Sequence, residues 1–177
     1  MSVRRKLIRD LSTGLLERHN IVSAPVDVEK IAQALHLDVR KDSVEGDISG
    51  FLFRNHEKSS AIIGVNRKQH SNRQRFTVAH ELGHFLLHAG DKIHVDRGFE
   101  VRLRSDESSK GTDIDEKEAN LFAAELLMPK SFVEKDLEKV GPVDLMDEKT
   151  IKKLAEKYQV SPHAFAFRLA YLGYVRQ

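Results

Sequence analysis

The sequence contains no cysteine, and none of its 177 residues belongs to a long apolar run. The absence of cysteine excludes disulfides, cysteine-ligated metal sites and a thiol nucleophile. No segment approaches the roughly 20 apolar residues that a membrane span needs. The basic start of the chain is followed by helically spaced leucines and not by the apolar core of a signal peptide. We therefore expect a protein that is neither secreted nor inserted in a membrane and that resides in the cytoplasm.

The charge balance gives no sign of a nucleic-acid or membrane surface. The 29 Lys and Arg residues nearly offset the 27 Asp and Glu residues, which leaves a formal net charge of +2. A strong one-signed field, the usual electrostatic signature of such partners, is therefore not expected. The hydrophobic content of 40% is typical of a globular chain with one sizeable core.

Apolar periodicity and turn residues predict an α+β fold, with several helices around a small β-sheet. Two strands at 48–54 and 60–65 have the pattern of a hairpin, and the charged segment 91–113 is predicted to be a loosely structured loop. Other elements are a strand at 37–40, helices at 3–18, 28–35, 69–87 and 115–128, and two short helices between 147 and 175. We expect Asp27 to cap the second helix, and Ser161-Pro162 to begin the last one.

The pentapeptide His80-Glu81-Leu82-Gly83-His84 lies in the predicted helix 69–87. Residues four apart on a helix share a face, so both imidazoles can bind one zinc ion. Glu81 projects beside the ion, where its carboxylate can act as the general base toward water. The flanking residues are apolar, so the helix is buried, and unpartnered polar groups there would be costly. The motif therefore predicts a catalytic zinc site.

A catalytic zinc ion usually has three protein ligands, so a further residue is needed. Glu118 heads the mostly apolar helical stretch that ends at Met128, which makes it our predicted third ligand. Glu125 shares its face and is the rival ligand, although we expect a structural role for it. Glu116 and Asp115 are predicted to be solvated acids of the first helical turn, favoured there by the helix dipole.

These residues belong to two longer runs that resemble the hallmarks of the ImmA/IrrE family of metallo-endopeptidases. The first is RQRFTVAHELGH at 73–84, and the second is EANLFAAELLMP at 118–129. The segments 24–32 and 48–51 are also similar to the family's N-terminal pattern. The resemblance therefore extends over nearly the whole chain.

The resemblance implies a gluzincin-like zinc peptidase fold, with His80, His84 and Glu118 as Zn²⁺ ligands and Glu81 as catalytic base. It also implies a protein substrate, a helix-turn-helix repressor of the Xre type, whose cleavage derepresses phage, mobile-element or stress-response genes. We expect a metallopeptidase domain over 1–145 and a helix-turn-helix-like C-terminal segment over 146–177, packed on that domain. The sequence leaves the oligomeric state open.

Two further features of the sequence leave alternatives open. The strand at 48–54 is either a substrate-binding edge or a plain core strand. The C-terminal helices suggest, as an alternative function, a DNA-binding or partner-binding regulator with a structural metal site. The last helix is dominated by apolar residues, so we expect no direct nucleic-acid binding. His88, His94, Arg73, Arg75 and Tyr158 are candidates for stabilising the oxyanion.

Overall fold

The computed structural model of the protein describes residues 2–55, 60–89, 93–96, 110–140 and 147–174. Over these ranges the chain forms seven helices and four strands. The predicted α+β class is confirmed. In chain order the elements are α1 (Arg5–Arg18), α2 (Val28–Ala34), β1 (Leu37–Asp42), β2 (Gly50–Asn55), β3 (Ser60–Asn66), α3 (Ser71–Leu87), β4 (Ile93–Asp96), α4 (Lys110–Leu127), α5 (Lys130–Val140), α6 (Glu148–Tyr158) and α7 (Pro162–Leu172).

Side-chain caps define where several helices begin. The Asp27 carboxylate accepts a hydrogen bond from the Lys30 backbone N–H at 3.2 Å, and thereby satisfies a free amide of the first turn of α2. The Ser161 hydroxyl accepts in the same way from the Ala164 amide at 3.1 Å, ahead of a proline in the first turn of α7. Both predicted caps are confirmed.

The four strands form one sheet in the order β1-β3-β2-β4. β1 is parallel to β3, and β2 is antiparallel to both β3 and β4. The predicted hairpin is confirmed, although residues 56–59 of its turn lie outside the described residues. The suggestion that 48–54 forms a substrate-binding edge is wrong, because β2 is paired on both sides. In the described part of the chain β4 pairs only with β2 and ends the sheet.

Three elements differ from the sequence prediction. β4 lies inside the segment predicted to be a loop, where its four residues gave a weak pattern. α4 begins at Lys110 and not at 115, because the polar residues before its apolar run continue the helix. α5 was not predicted; its sequence KSFVEKDLEKV buries Val133 and Asp136 on one side only. The remainder of the predicted loop lies outside the described residues.

The core brings α3 against α4 at a small residue. A Cβ atom on Gly83 would lie 3.1 Å from Ala119 Cα and 3.1 Å from Phe122 Cδ1, so the two helices approach closely only because this position lacks a side chain. The sheet contributes Leu52 and Ile63, both fully buried, to the same core. The close approach sets the distance between side chains that face each other across α3 and α4.

The C-terminal helices are joined to α4 by a buried ion pair. Arg168 of α7 donates from Nη2 to Glu125 Oε2 at 2.6 Å and from Nη1 to Glu125 Oε1 at 3.0 Å. Arg168 Nε also donates to the Met128 carbonyl at 3.0 Å. The division into domains at 145 stays a prediction, but this contact fastens the last helix to the body of the protein. In the described part of the chain, the helices are too short or too polar to cross a bilayer.

Candidate metal centre

The two histidines of the pentapeptide project from one face of α3 and are buried. Each residue is 3% exposed, and their Nε2 atoms lie 3.1 Å apart. Around one tetrahedral zinc ion with Zn–N bonds of about 2.0–2.1 Å, neighbouring donor atoms lie roughly 3.3 Å apart. The spacing of His80 and His84 therefore suits two ligands of one ion. Burial lowers the pKa of His84 to about 4, so its ring is neutral at neutral pH, as a ligand must be.

A carboxylate from α4 completes this group. Glu116 Oε2 lies 3.4 Å from His80 Nε2, and Glu116 Oε1 lies 3.2 Å from His84 Nε2. Burial raises the pKa of this carboxyl, but its contacts with the two imidazoles lower it more strongly, so the net direction is well below the usual range. The three residues provide a His₂Glu donor set, which is one of the established ligand sets of catalytic zinc.

Asn120 lies one helical turn after Glu116 and fixes the orientation of the first histidine. Its Oδ1 atom is 3.0 Å from His80 Nδ1, so we infer that this ring nitrogen carries the proton and donates it. The lone pair of Nε2 then faces His84 and Glu116. Such outer contacts hold a metal-binding histidine in one tautomer and one orientation.

The end of α3 is held by the sheet. Arg54 of β2 is 8% exposed and donates from Nη2 to the carbonyls of His84, at 2.8 Å, and His88, at 3.1 Å. A cation at these carbonyls complements the negative end of the helix dipole. β2 therefore fixes the helical turn that carries the second histidine.

Glu81 is fully buried, and neither of its carboxylate oxygens has a hydrogen-bond partner among the described residues. Burial raises the pKa of this carboxyl well above its usual range, and the charges of Asp96 and Glu116 raise it further. A raised pKa makes the carboxylate a better proton acceptor. A buried carboxylate without a partner is costly unless a bound group satisfies it, and it is what a general base beside a metal-activated water requires.

The predicted third ligand, Glu118, lies elsewhere. Its carboxylate accepts hydrogen bonds from Arg4 Nη2 at 2.5 Å, from Arg4 Nε at 3.0 Å and from the Arg4 backbone N–H at 2.7 Å. These bonds from Arg4 lower the pKa of Glu118, which is 1% exposed. The structure groups Glu118 with His88 and Asp115, apart from the cluster of His80, His84 and Glu116. The buried carboxylate therefore has a cation, which is the guanidinium of Arg4, directly before α1.

Glu116 was predicted to be a solvated acid of the first helical turn; its side chain is 40% exposed, but its carboxylate contacts both imidazoles of the cluster. Because α4 begins at Lys110, Glu116 lies in the second helical turn and faces α3. The signal in the sequence is the spacing of Glu116 and Asn120, which puts a carboxylate and an amide one turn apart on one helix face. An apolar run marks which part of the helix is buried, but it does not identify the polar residue that faces the neighbouring helix.

The other candidates have separate partners. Glu125 is bound to Arg168, which agrees with its predicted structural role. Tyr158 is buried and donates its hydroxyl to Asp136 at 2.9 Å, and Arg75 donates to the Val26 carbonyl at 2.8 Å. His94 of β4 is the oxyanion candidate that joins the cluster, with Nε2 3.3 Å from Glu116 Oε1.

In this α+β domain, the helix with the His-Glu-x-x-His motif packs against a second helix that supplies a carboxylate. This arrangement is that of the metallopeptidases, the hydrolases that act on peptide bonds. The comparisons identify the family. The model of the peptidase family described as the IrrE N-terminal-like domain matches residues 32–170. The chain therefore belongs to the ImmA/IrrE family of metallopeptidases, and its cluster of histidines and glutamate fits a divalent metal ion.

Two curated relatives carry the name radiation response metalloprotease IrrE. The chain is 30% identical over 108 residues to the protein of Deinococcus radiodurans, an alignment that spans 61% of this chain and 30% of the relative. It is 31% identical over 109 residues to that of Deinococcus deserti, with 62% of this chain and 36% of the relative covered. The alignments thus span about a third of these relatives' length.

A solved structure titled Mycobacterium tuberculosis transcriptional regulator shares the fold. The TM-score is 0.62 at 16% sequence identity, over 92% of this chain and 46% of that one. At this identity the match concerns the fold alone.

Proposed function

We propose that this protein is a zinc-dependent endopeptidase that hydrolyses a peptide bond in a helix-turn-helix repressor of the Xre type. The observation that carries the proposal is the convergence of His80 Nε2, His84 Nε2 and the Glu116 carboxylate beside the buried, unpartnered carboxylate of Glu81. Zn²⁺ suits two imidazoles and one carboxylate. The geometry favours Glu116 over the predicted Glu118 as third ligand.

In the proposed mechanism each residue has one task. When bound, the zinc ion supplies a Lewis acid that polarises the scissile carbonyl and acidifies water. Glu81 accepts the proton of the attacking water and returns it to the leaving nitrogen. Asn120 keeps the His80 lone pair directed at the cluster, and Arg54 holds the turn that carries His84.

The substrate peptide is proposed to lie along β4. This strand has a free edge among the described residues and is adjacent to the cluster, since its His94 contacts Glu116. An extended peptide can pair with such an edge through backbone hydrogen bonds. Ile93 and Val95, which are 55% and 42% exposed, offer apolar contact beside that edge.

In this proposal the C-terminal helices bind the repressor protein and do not bind DNA. The basic residue in the middle of α7, Arg168, is buried against Glu125 and is not available to phosphate. The outward side of α7 carries Phe167 and Tyr171, which are 63% and 44% exposed. Exposed aromatic residues are typical of protein contacts, so we propose that the folded part of the repressor binds there. The alternative of a DNA-binding regulator has no comparable observation in its favour.

The test combines metal content with cleavage of a purified Xre-type repressor. The purified full chain should bind one zinc ion and cut the repressor at one site, and a chelator should abolish the cut. Glu81→Gln should keep the metal and lose the cut. If Glu81→Gln cleaves at the parental rate, the proposed mechanism is wrong.

The third ligand is decided by two matched variants. Glu116→Gln should lose stoichiometric zinc, because the amide removes the anionic ligand. Glu118→Gln should retain zinc, and Arg4→Met serves as the control for loss of the Arg4 contact. If Glu118→Gln loses zinc while Glu116→Gln and Arg4→Met retain it, Glu118 and not Glu116 is the third zinc ligand.

A further inference from the structure

His94 is directed into the metal cluster by the alternation of β4. It is paired with Leu52 of β2, which is fully buried, and paired residues of neighbouring strands project to the same face of a sheet. Its neighbours Ile93 and Val95 project to the opposite, exposed face. The strand thus presents a single imidazole to α3 and α4.

The distances bring His94 within the reach of one metal ion. Its Nε2 atom is 3.3 Å from Glu116 Oε1, and its ring centroid is 3.8 Å from that of His84. One ligand atom from each of His80, His84, His94 and Glu116 lies within 4.8 Å of the others. The contact of 3.3 Å equals the separation of roughly 3.3 Å expected between donors around one tetrahedral zinc ion.

The state of this imidazole suits a ligand. His94 Nε2 is buried and has no hydrogen-bond partner among the described residues, although Glu116 lies within contact distance. A buried nitrogen directed at three other donors is satisfied most simply by the ion that they bind.

We propose that His94 is a fourth protein ligand that closes the coordination shell in the resting protein. This inference rests on the proposed function, in which His80, His84 and Glu116 bind zinc. Catalytic zinc sites keep one position open, whereas a site with four protein ligands is closed. The resting protein is therefore latent, and catalysis requires His94 to leave.

The position of His94 links its release to the substrate. Among the described residues, the strand that carries it forms four residue pairs, all with β2. A peptide that pairs with the other edge of β4, which no described strand occupies, acts on the same short strand. Peptide binding at this edge is then the event that opens the site.

The test uses the full chain loaded with Co²⁺, whose visible absorption reports the ligands. Azide serves as the probe, because it binds where a coordination position is open. The wild-type spectrum should be unchanged by azide, and His94→Ala should show a saturable change. His88→Ala is the matched control: it removes an imidazole whose ring lies 5.6 Å from that of His84 but outside the cluster, and should behave like wild type.

Zinc affinity gives a second measurement, by competition with a chelator. His94→Ala should bind zinc at least ~10-fold more weakly than wild type. Circular dichroism should show that the substitution has not unfolded the protein. A wild-type spectrum that responds to azide as His94→Ala does, or equal zinc affinities, would overturn the latent site and leave the peptidase proposal standing. A wild-type chain that binds neither metal would overturn both.

Discussion

The ion pair between Glu125 and Arg168 allows the sharpest quantitative prediction about stability. Their side chains are 4% and 2% exposed, and Arg168 donates three hydrogen bonds, two to Glu125 and one to the Met128 carbonyl. Arg168→Met leaves the Glu125 carboxylate buried without a cation, which costs about 3–5 kcal/mol. The carbonyl of Met128 loses a donor as well, for ~1 kcal/mol. We therefore expect the free energy of unfolding to fall by about 5 kcal/mol.

Thermal and urea denaturation of the full chain at neutral pH measure this loss. For a domain of this size, 1 kcal/mol corresponds to about 2–4 °C, so the melting temperature should fall by roughly 10–20 °C. The double variant Glu125→Leu/Arg168→Met should recover most of the loss, because removing both charges leaves neither buried alone. A single variant that loses less than ~1 kcal/mol, or losses that are additive in the double variant, would refute the reasoning.

Three further predictions concern the helix contact, the histidine tautomer and the response to acid. Gly83→Ala should reduce the free energy of unfolding by about 1–2 kcal/mol, because the backbone of Ala119 lies 3.1 Å from the new Cβ atom. This loss should exceed the gain from the better helix propensity of alanine. Urea denaturation measures the difference, and increased stability would contradict the prediction. Asn120→Ala should weaken zinc binding by roughly 10–100-fold, because it removes the contact with His80. Competition with a chelator measures the affinity, and an unchanged affinity would show that Asn120 does not orient His80. Burial raises the pKa of Asp136, but hydrogen bonds, first from Lys157, lower it below 3.8 overall. Its stabilisation is therefore complete above pH 3.8 and lost as the pH falls through the lowered value. Asp136→Asn should accordingly lose about 1–3 kcal/mol at pH 7, and the difference from wild type should shrink in acid; a constant difference would contradict this prediction.

Local patterns in the sequence carry much of the fold. The caps at Asp27 and Ser161 and the hairpin of β2 and β3 depend on neighbours in the chain, and all are present as predicted. β4 and α5 escaped prediction because one is four residues long and the other buries only a narrow side. In such elements tertiary contacts decide the structure, and the periodic signal is weak.

The sequence by itself determined the residues of the His-Glu-x-x-His helix and the family resemblance, because a spacing of four on one helix needs no tertiary information. Only the tertiary structure decided which carboxylate faces them. Glu116 and Glu118 are two residues apart on one helix and therefore point in directions nearly opposite to each other. Because α4 packs against α3, Glu116 faces His80 and His84. On its other side α4 packs near the start of α1, where Glu118 forms an ion pair with Arg4. The sequence alone could not choose between them, because the choice depends on how three helices, distant in the chain, pack together.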